Sequence, residues 1–144
     1  MTALKRLVGT YMALLAAAVA GFFIINPFLV DSLDVMTVWY ALYVMMAVGL
    51  GLALIFNYAY KREDSNGDLD GPATRRYMNA TMLFHLTVAV SILFFHRWFS
   101  LLALGEDNLA GNHEARVLWA IVDTLAPITM GITGCRLWSE ANRQ

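Results

Sequence analysis

Polarity along this chain swings four times between long apolar runs and short polar joints. Residues 7–27 and 35–60 contain no formally charged side chain, residues 77–98 hold only His85, His96 and Arg97, and residues 117–138 hold Asp123 and Arg136. Each run reaches the roughly 20 residues that an α-helix needs to cross a hydrocarbon core of about 30 Å. None shows the polar stripe that a soluble amphipathic helix turns to water, so the runs read as membrane spans. Asn26-Pro27 is expected to end the first span, because the residue before a proline is pushed out of the helical region. Phe99 to Leu104 stays apolar, which allows either a helix that runs on past the membrane or a short segment lying on its surface.

The polar joints complete the plan. Residues 61–76 form one loop and residues 99–116 another, and a short acidic turn with Asp31 and Asp34 separates the first two spans. Lys5, Arg6, Lys61, Arg62, Arg75, Arg76, Arg136 and Arg143 fall on one side of such a layout, and only Arg97 and Arg116 on the other. Cytoplasmic segments are enriched in Lys and Arg, so both termini and loop 61–76 are expected in the cytoplasm, with loop 99–116 outside. The expected fold is an all-α integral membrane protein, a four-transmembrane-helix bundle forming one membrane domain over residues 1–144. The first run, behind Lys5 and Arg6 and with Ala-Val-Ala before Gly21, resembles a signal peptide. Its continuation through Phe22 to Ile25 favours a retained span.

Composition agrees with this. The chain of 144 residues is 59% hydrophobic and 15% charged, against about 45–50% and 25% for ordinary soluble domains. Its net charge of −1 offers no general attraction to nucleic acid. The one cysteine, Cys135, makes no internal disulfide and is a poor start for a metal site.

Within the spans, Ala17 and Gly21 in the first and Ala47, Gly49, Gly51 and Ala53 in the second are small residues four apart. Such spacing lets helix backbones approach closely, so the first two spans are expected to meet there. Trp39, Tyr40, Tyr43, Trp119 and Trp138 stand near span ends, where aromatic side chains favour the membrane–water interface.

Asp123 is the acid inside an apolar span. A buried carboxylate in a bilayer costs about 2.5–3.5 kcal/mol on insertion scales, so it should face protein or water. Pro127, four residues on, lacks an N–H and frees the Asp123 carbonyl. With the hydroxyls of Thr124 and Thr129 this makes an acceptor-rich notch. Ser91 and Tyr43 are the expected neighbours in depth. Counting at 1.5 Å per residue sets Asp123 about 9 Å below the outer surface and His85 about 12 Å above the inner one. Their levels differ, so a direct pair is disfavoured. Asp123 then either locks the bundle through hydrogen bonds or works as a functional acid.

Other chemistry is thinner. His85 and His96 sit about 16 Å apart along one helix and cannot share an iron, so haem is disfavoured. No Glu-x-x-His pair appears for a diiron centre. Asp64, Asn66, Asp68 and Asp70 alternate as in a calcium loop, but the glycine and the closing acid fall out of register. A solvated turn explains the same residues. His96, Arg97 and Trp98 suit an interface that contacts a quinone or lipid. No nucleophile with a base and no phosphate loop is present. No cofactor is expected; bound lipids are. Three function classes follow. One is an accessory subunit that stabilises a larger membrane complex, of respiratory or oxidoreductase type. Another is a small oligomeric transporter or channel using Asp123 and His85. The last is a quinone- or lipid-contacting membrane anchor. Other integral membrane subunits are the expected partners, in a bacterial inner membrane.

Overall fold

The computed structural model describes residues 2–29, 34–65, 72–105 and 113–142, with side chains left aside between 63 and 76. Four α-helices make up the described chain: α1 (Thr2–Leu29), α2 (Val35–Ser65), α3 (Pro72–Leu104) and α4 (His113–Ala141). All four are long and apolar enough to cross a membrane. The protein is an all-α membrane bundle.

Local chemistry marks several helix ends. Asp34 caps α2: its carboxylate accepts the Thr37 amide at 3.3 Å and the Thr37 hydroxyl at 2.6 Å. Side-chain oxygens at this position satisfy first-turn N–H groups that have no partner within the helix. Pro72 opens α3, where its missing N–H costs nothing. Gly105 ends α3 with φ of 73° and donates its N–H to Leu101 O at 2.9 Å, a left-handed cap that glycine adopts without steric penalty. α3 is therefore one helix of 33 residues, and Phe99 to Leu104 is its continuation rather than a separate surface segment. Contrary to the expected break at Asn26, α1 runs through Pro27 to Leu29. A proline so near the C-terminus removes only the bond to Phe23 O, so the last turn survives it.

The helices alternate in direction. Lys5 pairs with Glu140 at 3.2 Å and Arg6 donates to Asn142 at 2.9 Å, so the start of α1 lies beside the end of α4. At the same end the Arg136 guanidinium covers the Tyr60 ring at 3.3 Å and Lys61 lies 5.0 Å from the Phe84 ring. α1 packs chiefly on α4, α2 on α3, and α4 also touches α2 and α3.

The expected seam between α1 and α2 is corrected. Ala17 is exposed, and a methyl added at Gly21 or Gly51 would meet nothing within 4 Å. Gly49 is buried, but against Met130 of α4 and Leu15 of α1; Ala53 is buried and Ala47 half-buried. The tight glycine contact joins α1 to α4 instead. A Cβ at Gly9 would lie 2.9 Å from Gly134 O, and one at Gly134 would lie 2.8 Å from Gly9 O and 3.0 Å from Ala13 N. Backbone meets backbone there, which only glycine permits.

Candidate functional site

Among the described residues two polar arrangements sit inside the bundle, and they differ in how completely they are satisfied. The first joins three helices. Asn57 of α2, 1% exposed, donates to Thr87 of α3 and to Thr133 of α4, both at 3.0 Å. Around it Thr87 donates to Leu83 O, Ser91 to Thr87 O and Thr133 to Thr129 O. Each hydroxyl folds back on a carbonyl one turn earlier in its own helix, which leaves the oxygens of Thr87 and Thr133 free to accept the amide. Asn57 was missed at the level of sequence. Its signal was its isolation, an amide within an otherwise apolar stretch.

The second arrangement centres on Asp123. Its residue is 5% exposed, and its Oδ1 is buried without a hydrogen-bond partner. Ser91 does not reach it, since that hydroxyl bonds Thr87 O. Tyr43 lies within electrostatic reach, but no hydrogen bond joins the two; its ring is stacked between Trp39, centroids 5.4 Å apart, and Trp119 at 4.5 Å. The expected notch is also smaller than its residues promised. Thr124 donates to Ala120 O and Thr129 to Leu125 O and Ala126 O, so both hydroxyls are turned to their own helix. What remains is the carboxyl beside Pro127. Asp123 lines a depression of about 410 Å³ with Thr124, Pro127 and Ile128 of α4 and Ala16, Ala20 and Phe23 of α1.

The other expected site residues do not converge on this place. His85 is exposed and its Nδ1 bonds Thr81 O at 2.7 Å, one turn back on α3. No hydrogen bond or ion pair links it to Asp123. His96 is exposed, Arg97 buries an unpartnered Nε, and Trp98 packs on Phe94, Phe95 and Phe99. Being consecutive on a helix, these three point about 100° apart and form no common pocket. Trp39, Tyr43 and Trp119, expected at the membrane surface, are buried and make an aromatic plug with Phe22 and Phe94. Asn66, Asp68 and Asp70 lie outside the described residues, as does the Asp64 side chain. Among the described residues no three His, Cys, Asp or Glu side chains come together.

The site thus defines a class, a four-helix membrane bundle with a buried mid-span aspartate beside a groove between its first and last helices. No known family, curated protein or solved structure matches the chain.

Proposed function

We propose that this protein is a small accessory subunit of a larger membrane complex, of respiratory or oxidoreductase type in a bacterial inner membrane, which it stabilises by helix packing. The observation that carries this reading is the Asp123 carboxyl, with a buried oxygen that none of the described residues satisfies. The same bundle satisfies Asn57 on both sides. An unpartnered acid in a bilayer is costly. A partner subunit that supplies a donor removes that cost, so the carboxyl favours assembly.

The transporter reading needs a chain of polar groups across the bilayer. His85 and Asp123 are unconnected, and among the described residues no hydrogen bond links Asp123 to the cluster at Asn57, so these groups form no continuous path. A quinone-contacting anchor using His96, Arg97 and Trp98 is less supported, because those side chains diverge.

The test is extraction in mild detergent followed by native-size analysis and mass spectrometry. The expected result is a homogeneous species with larger foreign membrane subunits in fixed ratio. Recovery as a lone homo-oligomer overturns the reading and favours a transporter or channel.

A further inference from the structure

The depression at Asp123 is one of three along the same flank of the α1/α4 seam. The next, about 340 Å³, is lined by Gly9, Ala13, Leu14, Cys135 and Trp138. The last, about 820 Å³, shares Thr10, Leu14 and Trp138 with it and ends at Arg6 and Asn142. On α1 the positions Gly9, Ala13, Ala16, Ala20 and Ile24 follow one another at steps of three or four, so they form a single row. On α4 the row Trp138, Cys135, Gly131, Ile128 and Thr124 does the same. From Leu7 to Ile24 the flank is about 25 Å long at 1.5 Å per residue, close to the thickness of a bilayer core. Its floor is small side chains, its walls are exposed apolar ones such as Leu7, Leu14, Ile24 and Ile128, and the buried Asp123 lines one end.

From this, and resting on the accessory-subunit reading, we infer that the α1/α4 flank receives one transmembrane helix of a different subunit, which brings a basic side chain to the depth of Asp123. Small residues favour a helix, because they let its backbone come close. The length favours a spanning helix over a compact ligand. The carboxyl selects the partner's chemistry: a Lys, Arg or His supplies both the missing donor and the opposite charge. A second copy of this chain does not. Two copies related about an axis along the membrane normal meet at equal depths, so Asp123 would face Asp123 and Thr124. The nearest cation on the same helix, Arg116, lies seven residues away, about 10 Å along the axis. A phospholipid is a poorer fit as well, since its acyl chains carry no donor and its headgroup stays at the surface.

The experiment places a photoreactive phenylalanine at Ile128 or Ile24 on the flank, and at Ile55 or Ile92 on exposed faces elsewhere, and irradiates native membranes. All four positions are exposed. The expected adduct forms from Ile128 and Ile24 only, with a different membrane polypeptide. Peptide mapping should place it within one turn of a Lys, Arg or His in a span. Asp123→Asn should cut the adduct at least tenfold, and Asp123→Lys with an acid at the mapped basic position should restore it. Mapping uses the unaltered Asp123 and so does not depend on any variant folding. Adducts with lipid alone, with a second copy alone, or with a span lacking a basic residue overturn the inference. So does an unchanged yield in Asp123→Asn. If foreign subunits still co-purify under any of those outcomes, the accessory-subunit reading stands and only the docking flank falls.

Discussion

Asp34 shows how one side chain outside the membrane sets where a helix begins. Hydrogen bonds from the Thr37 hydroxyl and then the Thr37 amide hold its carboxyl below the usual carboxylate range, because they favour the charged form. The sign follows directly. The cap contributes fully above the ordinary carboxylate pKa of about 3.9 and is lost as pH falls through the lower folded value. Carboxyl carbon NMR should therefore give Asp34 a midpoint below about 3.9. Thr37→Val, which removes the hydroxyl, should move that midpoint back up; an unshifted midpoint in the parent protein sinks this account of the cap. At this scale a charge that contradicts its surroundings was legible, whereas the neutral amide of Asn57 was passed over. Asp123 stood out as an acid in an apolar run, and the structure does bury it. Its neighbours were not legible: Ser91 and the threonines turned inward to their own carbonyls, a choice each helix makes for itself. Which way a hydroxyl turns leaves no mark on the pattern of residue types.

At the scale of the element, the seam between α1 and α4 rests on two glycines whose backbones touch. Lipid tails are as apolar as leucine, so helices in a bilayer associate through close packing and hydrogen bonds rather than through the exclusion of water. Ala replacements should therefore sort by the room each Cβ finds. Gly9→Ala and Gly134→Ala set a methyl below 3.0 Å from a carbonyl oxygen of the facing backbone, which must withdraw. A loss of about 1–3 kcal/mol is expected, as for overpacked cores. Gly49→Ala meets the flexible end of Met130 and should cost less. Gly21→Ala and Gly51→Ala meet nothing within 4 Å and should be neutral or slightly stabilising, since Ala favours a helix over Gly. Unfolding curves in detergent check the order; Gly51→Ala as damaging as Gly134→Ala would return the seam to α2. The four helices were legible because length and apolarity define a span. Their pairing was not. A membrane helix is apolar on the faces that meet lipid and on those that meet protein alike, as exposed Leu14, Val48 and Ile92 beside buried Leu15, Leu50 and Val90 illustrate. Periodicity therefore does not tell the packed side from the lipid side, and the alternation of small residues in α2 suggested a seam that Gly9 and Gly134 hold instead.

The whole molecule adds a direction. Lys5, Arg6, Lys61 and Arg136 gather at the end of the bundle where α1 starts and α4 finishes. Arg97 and Arg116 belong to the opposite half, near the end of α3 and the start of α4. Positively charged ends are retained on the cytoplasmic side during insertion, so the end with the termini is expected to face the cytoplasm and Asp123 to lie nearer the outer surface. Because the helices alternate, fixing any one joint fixes them all. Cys135 is exposed and must first be replaced by alanine to leave a background free of thiols. In that background Ser32→Cys and Asn108→Cys should react with a membrane-impermeant thiol reagent in intact cells, and Ser65→Cys only after lysis. Reaction at Ser65 in intact cells would turn the bundle over. It would also carry Asp123 to the cytoplasmic half, and any basic partner side chain would then have to be sought at that depth.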